Sequence, residues 1–589
     1  MSTQFGRAGF AFPQQHVSTP AQLSQSIAHV LSREIAPLPS NRGNLTRIKE
    51  RHKSVLRILL VSTVLLLFPL VIAAQSVLTW HNDNSRTGQN LKEATLTLSN
   101  VNSTQFGKKA TLAVDGEIFT QPLYVANVSI PGQGTHNVVY VATENDSVYA
   151  FDAQGSPTTP LWQTSFTGTS VAAVPCGDTG SCEISPVIGI TGTPVIDGTS
   201  NTLYVVAFTK ESGSYFQRLH ALDITSGAEK FGGPVVIQAS VPGTGSGSSG
   251  GTIPFNPLIQ NQRSALLLSN GVVYIAWASF GDLNLYHGWV MGYGATTLAQ
   301  ASVFNVTPNG SQGGIWQSAG GLSADSSGNI FLLTGNGTFD ANMSGGLDYG
   351  DSFLKLTTSS GLSVGDYFSP YNELTLEDDD GDLGSSAGLI LPTQSGTHPD
   401  EITGAGKQGT IYLVDRDNMG QFSAISNNVI QQITGAASGY NSTPAYFNNA
   451  VFYSGAGDNL RRYTLTKGVL SKMAVSKSPT TLAAGGTPSI SAKGTSNGIV
   501  WVIDASPRKA TTAVLHAYKA SNVSVELYNS QQNVARHSRQ RHAILRPDGS
   551  ERKRVRRNQG RSNGQPAYFR YFELKLGGGG KADSSLRSE

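Results

Sequence analysis

Cysteine is almost missing from this chain, and this absence limits the metal sites that it can build. The 589 residues include only two cysteines, Cys176 and Cys182, whereas a structural zinc site normally needs four Cys or His ligands at set spacing. The pair alone is therefore a poor zinc candidate. Two alternatives stay open: a disulfide that closes a small loop in an oxidising compartment, or two free thiols.

Charged side chains are also scarce, at 14% of the residues, which is too few for a coiled coil or an acidic disordered chain. The charge is unevenly distributed. Residues 1–57 carry eight Lys and Arg against two Asp and Glu, and residues 533–589 carry fourteen against five. The body, residues 58–532, holds 20 basic and 32 acidic residues, a net charge of −12. This charge argues against nucleic-acid binding by the body.

Glycine and short apolar runs are abundant instead. The chain has 66 Gly and 26 Pro, a composition that favours many short strands joined by tight turns over a helical fold. The stretch from Thr193 to Gly227 shows the pattern best. Its two apolar runs, Leu203–Phe208 and Gln217–Asp223, are separated by a polar turn. Such runs are typical of short antiparallel strands.

This unit recurs along the chain. Each copy has an aromatic residue in its apolar strand, namely Tyr140, Tyr204, Tyr274, Phe331, Tyr412, Tyr453 and Trp501. The shortest separations between these residues are near the usual length of a four-stranded propeller blade. Seven units that cannot bury their sheet faces alone predict a closed ring of blades within residues 75–532.

The N-terminal part predicts export. Residues 1–53 are polar without clear periodicity, which predicts a disordered leader. Lys53 and Arg57 then precede an apolar run, Ile58–Ala74, so residues 54–74 have the features of a signal peptide. An uncleaved membrane anchor is the alternative, because 17 apolar residues are near the minimum for spanning a bilayer. Either interpretation places the body in the periplasm or outside the cell, anchored to the inner membrane if the run is not cleaved.

The C-terminal part breaks the repeat. Residues 533–589 are basic and lose the alternation of strands. One interpretation is a disordered basic tail. The other is a frameshift, since shifting the reading frame of Pro547–Gln559 by one nucleotide permits a blade-like strand. We therefore predict an all-β fold, an eight-bladed β-propeller with seven evident blades and a corrupted last one.

Two blade motifs resemble a known family. Leu219–Asp223 followed by Gly227, and Val148–Asp152 followed by Leu161-Trp162, are similar to blade motifs of pyrroloquinoline-quinone-type propellers, the quinoprotein alcohol dehydrogenase-like superfamily. Trp80 and Asn100-Val101-Asn102 also resemble the opening of those enzymes. The resemblance covers about residues 77–532 and implies an eight-bladed propeller. It is weaker for activity, because the same fold has non-enzymatic members.

The resemblance also implies a calcium and quinone site near the propeller axis. Calcium takes several hard oxygen ligands, and Asn336 and Glu211 match positions that bind the ion and the cofactor in the family. Asp348 or Asp351 matches the catalytic base that takes the substrate hydroxyl proton. Register favours Asp348, whereas the local Gly-Asp dipeptide favours Asp351.

Other features depart from the family or exclude further sites. The enzymes carry an adjacent cysteine pair, but Cys176 and Cys182 are separated by five residues. Candidates for the aromatic floor under a quinone are Trp277, Trp289 and Trp316, residue types that more often pack between blades.

Two loops are similar to known binding motifs, but each lacks an essential part of its motif. The acidic run at 377–382 lacks the twelve-residue calcium-loop pattern and predicts a solvated loop. The glycine-rich run at 404–407 has no following helix, so we reject it as a phosphate cradle.

Two functions remain. One is an exported binding or scaffolding module that holds a protein or small-molecule ligand on a propeller face, like the propeller lipoprotein of the outer-membrane barrel-assembly machinery. The other is a dehydrogenase of an alcohol or sugar that depends on calcium and pyrroloquinoline quinone. In both cases we expect a monomer that does not bind nucleic acid.

Overall fold

The computed structural model describes residues 75–317, 320–437, 442–483, 485–505 and 513–532. The leader, the apolar run at 58–74 and the basic segment 533–589 therefore lie outside the described residues. Among the residues that are described, no helix is long and apolar enough to cross a membrane.

The strands form seven sheets of four main strands each, arranged in chain order. A short strand, β1 (Gln89–Asn90), precedes them. Blade 1 is β2 (Leu123–Ile130), β3 (Gly134–Thr143), β4 (Ser147–Asp152) and β5 (Trp162–Ser165). An insertion follows with β6 (Val171–Pro175), a 3-10 turn (Cys176–Thr179) and β7 (Val187–Ile188). Blade 2 is β8 (Val195–Asp197), β9 (Thr202–Glu211), β10 (Ser214–Asp223) and β11 (Val235–Val236).

Blades 3 and 4 follow a hairpin of β12 (Ser240–Pro242) and β13 (Thr252–Pro254), and β14 (Gln260–Asn261). Blade 3 is β15 (Leu267–Ser269), β16 (Val272–Ser279), β17 (Trp289–Gly294) and β18 (Gln300–Asn305). Blade 4 is β19 (Ser323–Ala324), β20 (Ile330–Leu333), β21 (Phe353–Thr357) and β22 (Ser363–Phe368). A helix, α1 (Glu373–Asp378), and a 3-10 turn (Leu383–Ser385) connect blade 4 to blade 5.

Blade 5 is β23 (Leu389–Ile390), β24 (Glu401–Ala405), β25 (Ile411–Asp415) and β26 (Gln431–Ile433). Blade 6 is β27 (Ala445–Tyr446), β28 (Ala450–Tyr453), β29 (Asp458–Thr466) and β31 (Ser476–Leu482), with the short β30 (Val469–Leu470) beside β29. Blade 7 is β32 (Ser489–Lys493), β33 (Ser496–Asp504), β34 (Val514–Lys519) and β35 (Glu526–Asn529).

The propeller prediction is confirmed, with seven blades in the part of the chain that the structure describes. Neighbouring strands within each blade are antiparallel, as in the pairs of β3 with β4 and of β9 with β10, which short turns connect. In blade 2, β9 and β10 pair from Thr202 with Asp223 to Glu211 with Ser214. The eighth blade of the prediction falls on residues 533–589, outside the described residues.

One of the seven aromatic residues that mark the repeat in the sequence lies on a different strand from the others. Tyr140, Tyr204 and their counterparts lie on the second strand of a blade, whereas Tyr412 lies on the third strand of blade 5. The second strand there, β24, has the sequence Glu-Ile-Thr-Gly-Ala and contains no aromatic residue. This shift by one strand adds to the spacing of 81 residues before Tyr412 and shortens the spacing of 41 after it.

Apolar clusters join each blade to the next. Between blades 2 and 3, Tyr204 packs in one cluster with Trp277 and Trp289, and both tryptophans are fully buried. Similar clusters join blades 1 and 2, 3 and 4, 4 and 5, 5 and 6, and 6 and 7. Burying both faces of each sheet in this way is the main source of stability for a propeller.

A segment at the start of the body binds the innermost strand of every blade. We name residues 77–90 the hub segment. Backbone N–H groups of the innermost strands donate to carbonyl oxygens of this segment, in the pairs Tyr124–Val77, Ile196–Leu78, Ala324–Asn84, Ile390–Ser85, Tyr446–Thr87 and Ile490–Gly88, at 2.7–3.0 Å. In blade 3, the Leu268 carbonyl instead accepts from Asn84 Nδ2 at 2.9 Å. The hub segment therefore lies along the centre of the ring.

Residues 91–118 fill the seam between the last blade and the first. Leu96, Val101 and Phe106 pack against blade 7, next to Trp501 and Tyr528. Further along, residues 110–118 pack against the face of blade 1 that points away from blade 2. The seam is thus covered by chain without blade structure.

Candidate functional site

Loops of two kinds open on the same face of the propeller. Because the four strands of a blade alternate in direction, the loop after the second strand and the loop after the fourth strand lie at the same end. We name this end the loop face. It carries most of the buried polar side chains described below.

The densest polar cluster on the loop face lies between blades 4 and 5. Asn336 follows β20, Asp382 precedes β23, and Lys407 follows β24. The Asn336 backbone N–H donates to Asp382 Oδ1 at 2.8 Å. Lys407 Nζ lies 2.7 Å from Asp382 Oδ2 and 2.6 Å from Asp380 Oδ1. One lysine thus bridges two carboxylates from the same loop.

Glycine makes this close approach possible. A Cβ on Gly335 would lie 2.2 Å from Asp382 Oδ1 and 2.7 Å from Trp316 Cδ1, well inside contact distance. A Cβ on Gly406 would lie 2.7 Å from the carbonyl oxygen of Asp382. Loops with side chains at these two positions could not bring Asp382 to Asn336 and Lys407.

Asp351 forms the buried end of the cluster. It is 1% exposed, and its Oδ1 accepts the Leu383 backbone N–H at 2.8 Å. Burial, together with the nearby charge of Asp382, raises the pKa of Asp351 well above its usual range. Burial therefore favours the protonated form of the Asp351 carboxyl, which can donate a hydrogen bond.

A further acid and a lysine set the charge of the cluster. Burial and the Asp382 charge raise the pKa of Asp282 to about 6, and Tyr286 donates to its Oδ1 at 2.5 Å. Burial works against the Lys407 ammonium, but the neighbouring Asp382 and Asp380 outweigh it and raise the pKa of Lys407. The lysine therefore remains charged between its two carboxylates.

Three buried polar atoms at this cluster have no hydrogen-bond partner among the described residues: Asn336 Oδ1, Asp351 Oδ2 and Trp316 Nε1. Trp316 is 7% exposed, contacts Tyr286 edge-on at 6.1 Å and has the Arg263 guanidinium 5.7 Å from its ring centre. Buried polar groups normally find partners, so these atoms indicate a place for water or a ligand. The cluster reaches the surface at Asp380, whose side chain is 43% exposed.

The structure brings together only some of the residues expected from sequence. Asn336 and Asp351 both contact the loop that carries Asp382. Asp348 lies elsewhere in the loop, where its Oδ1 accepts the Asn309 N–H at 3.0 Å and its own N–H donates to Asp340. Glu211, at the end of β9, forms an ion pair with Arg218 and also accepts from Thr209.

Sequence reasoning missed Asp382 and Lys407. The acidic run was expected to be solvated, but the structure buries Asp382, which is 3% exposed, because Lys407 and the Asn336 N–H satisfy its carboxylate. Lys407 lies in the glycine-rich run that was examined only as a phosphate cradle. The only local signal is that Lys407 follows β24 closely, since Asp382 is separated from β23 by a 3-10 turn.

Of the three tryptophans considered for a cofactor floor, only Trp316 adjoins this cluster. Trp277 and Trp289 lie in the core between blades 2 and 3. Cys176 and Cys182 form a disulfide in the insertion before blade 2. Neither cysteine belongs to the blade 4–5 cluster.

The blade 4–5 cluster does not fit a calcium ion as its residues stand. Calcium takes six to eight oxygen ligands. Both Asp382 oxygens are already engaged, and the Glu211 carboxylate is held by Arg218. Within the described ranges, no group of three or more His, Cys, Asp or Glu could hold a metal ion. The Lys407 ammonium already supplies a positive charge between the carboxylates.

No family model matches the chain, and no curated protein matches it. Solved structures do. Quinohemoprotein alcohol dehydrogenase ADHIIG from Pseudomonas putida HK5 is 13% identical, with 78% of this chain and 72% of that chain covered and a TM-score of 0.50. The corresponding enzyme from Comamonas testosteroni is also 13% identical, with 77% and 72% covered and a TM-score of 0.49. BamB from Moraxella catarrhalis is 11% identical, with 72% and 87% covered and a TM-score of 0.37. The likeness shows the fold alone, a β-propeller.

Proposed function

We propose that the chain is an exported binding propeller that holds a small hydroxyl-bearing molecule, such as an alcohol or a sugar, at the blade 4–5 cluster. The observation that carries the proposal is the set of three buried, unpartnered polar atoms, Asn336 Oδ1, Asp351 Oδ2 and Trp316 Nε1. Binding sites commonly combine an apolar wall with a few convergent polar groups.

The chemistry of these atoms favours a neutral hydroxylated ligand. Asn336 Oδ1 can only accept a hydrogen bond, and Trp316 Nε1 can only donate one. The Asp351 carboxyl can accept a hydrogen bond, and in its protonated form, which burial favours, it can also donate one. A hydroxyl group both donates and accepts, so two neighbouring hydroxyl groups would satisfy all three. An anionic ligand would be repelled by Asp380 and Asp382, and a cationic ligand would be repelled by Lys407.

Binding can be tested by the thermal stabilisation that a panel of alcohols, polyols and sugars produces in the purified protein. We expect one class to raise the melting temperature, and Asn336→Ala and Asp351→Asn to remove most of that effect. Glu401→Gln is the matched control, because Glu401 is another fully buried acid and begins β24 at the end away from Lys407. Stabilisation that survives Asn336→Ala and Asp351→Asn would refute the assignment of the site.

A quinone-dependent dehydrogenase is the second candidate. What supports it is the fold, together with the contacts that Asn336 and Asp351, the residues matched to the family's cofactor and base positions, make with the loop that carries Asp382. The quinone would supply the two-electron oxidation of the substrate. Pyrroloquinoline quinone and calcium are added to the protein, and quinone absorbance and dye reduction are measured with the same ligand panel. Dye reduction that is lost in Asp351→Asn would favour the enzyme over the binding module.

A further inference from the structure

A second group of buried acids lies on the loop face between blades 1 and 2. Glu144 and Asp146 form the turn between β3 and β4, and they are 1% and 0% exposed. Glu144 Oε2 accepts the Gly189 N–H at 2.8 Å and the Thr191 hydroxyl at 3.1 Å. Asp146 Oδ1 accepts the Phe208 N–H at 3.2 Å. Each carboxylate thus uses one oxygen to bind blade 2 or the chain leading into it.

The other oxygen of each carboxylate accepts no hydrogen bond from the described residues. Glu144 Oε1 and Asp146 Oδ2 are buried and have no hydrogen-bond partner in the part of the chain that the structure describes. The neighbouring ionisable groups, Glu117 and Asp115, are also acidic. Burial raises the pKa of Glu144 to about 7 and that of Asp146 well above its usual range.

Gln262 adds a third unpartnered oxygen. It is 6% exposed, its Nε2 donates to the Ser264 carbonyl at 2.6 Å, and its Oε1 has no partner among the described residues. A Cβ on Gly192 would lie 2.4 Å from this Oε1, and a Cβ on Gly189 would lie 2.8 Å from Asp146 Oδ1. The segment 189–192 therefore contacts the acidic pair at Gly189 and Gln262 at Gly192, where a side chain on either glycine would clash with them.

We propose that Glu144 Oε1, Asp146 Oδ2 and Gln262 Oε1 bind a hard divalent cation, with calcium preferred over magnesium. Two buried carboxylates without a counter-ion are costly unless they take up protons or a cation. Calcium accepts carboxylate, amide and water oxygens in flexible geometry, whereas magnesium demands a near-ideal octahedron. Unlike the blade 4–5 cluster, this group has no lysine at its centre. The proposal does not depend on the proposed function.

The test is calcium-dependent stability of the purified protein after treatment with EDTA. A ligand at about 100 times its dissociation constant stabilises by about 2.7 kcal/mol, which corresponds to a rise of about 3 °C in the melting temperature of a body of this size. We expect this rise in the wild type and in Glu401→Gln, and its loss in Glu144→Gln and Asp146→Asn. Glu401→Gln is matched to Glu144→Gln because burial raises the pKa of both glutamates to about 7.

Gln262→Leu provides a variant that leaves both acids in place. We expect it to weaken calcium binding about tenfold by isothermal titration calorimetry, even if Glu144→Gln fails to fold. Asn336→Ala should bind calcium like the wild type, which separates this site from the blade 4–5 cluster. No response of the wild type to 10 mM calcium would overturn the proposal and would mean that the acids hold protons. Loss of the calcium response in Glu401→Gln would overturn the proposal as well. So would loss of the response in Asn336→Ala if Glu144→Gln retained it.

Discussion

Replacing Arg86 should destabilise the propeller more than replacing any partly exposed arginine of the body. Arg86 is fully buried in the hub segment, and burial lowers its pKa to about 10. Its Nε donates to the Leu322 carbonyl at 2.8 Å, and its Nη1 donates to Thr79 Oγ1 at 2.7 Å and to the Trp80 carbonyl at 2.8 Å. The guanidinium thus fixes the hub segment to the chain leading into blade 4.

The expected magnitude follows from these contacts. Hydrogen bonds to a charged group contribute about 1.5–3 kcal/mol each, and the low end of this range over three short bonds gives about 4–5 kcal/mol for Arg86→Ala. A loss of this size lowers the melting temperature by about 5 °C for a body of this length. Arg86→Lys keeps the charge but loses the planar fork, so we expect about half the effect.

Thermal and urea unfolding of the purified protein measure this prediction. Arg218→Ala is the matched control, because Arg218 pairs with Glu211 with side chains 21% and 22% exposed. Ion pairs near the surface contribute at most about 1 kcal/mol. Equal losses for Arg86→Ala and Arg218→Ala would refute the idea that the hub segment holds the ring together.

Three more substitutions have defined outcomes. Gly335→Ala should cost about 1–3 kcal/mol and abolish ligand binding, because its Cβ would displace Asp382; unchanged unfolding and binding would contradict the cluster geometry. His136 Nδ1 donates to Asp152 Oδ2 at 2.6 Å, and this bond raises the pKa of His136, so its stabilisation is present below about pH 6.5 and fades as pH rises through the raised pKa. His136→Gln should flatten this part of the stability curve, as followed by urea midpoints across pH 5–8. Burial raises the pKa of Glu401 to about 7, so stability should fall from about pH 4.5 to 7 as the acid ionises, and Glu401→Gln should remove that fall.

Local patterns were enough to predict the blades. Short runs such as Leu203–Phe208 alternate or stay apolar because both faces of a blade are buried. This hydrophobic pattern can be read from the residues of each run alone. The strand β24 was missed because its register carries no aromatic residue, although its neighbours were found. Strand identity within a blade therefore depends on pairing partners that lie far away in the sequence.

The candidate site was less predictable. Asn336 and Asp351 were found through their resemblance to a family motif, but the role of Asp382 depends on contact with Lys407, which a different blade supplies. A run of four acids in a row ordinarily indicates a solvated loop. The hub segment was missed for a related reason, because its backbone carbonyls, which any residue possesses, make the contacts with the blades.

The position of the hub segment has a consequence for the order of folding. It is made before any blade, yet its partners are spread over the whole body, and His81 Nε2 reaches the Pro488 carbonyl across 407 residues of sequence. Contacts of such long range form late, because the chain must lose the entropy of closing a long loop before the contact can stabilise it. Blades 1 to 6 can pair their own strands during synthesis, whereas the centre of the ring stays incomplete until blade 7 has emerged. Until that moment the Gly88 carbonyl and the His81 ring lack their partners at blade 7, Ile490 and Pro488, so a chain stalled before blade 7 should be the species most prone to aggregate.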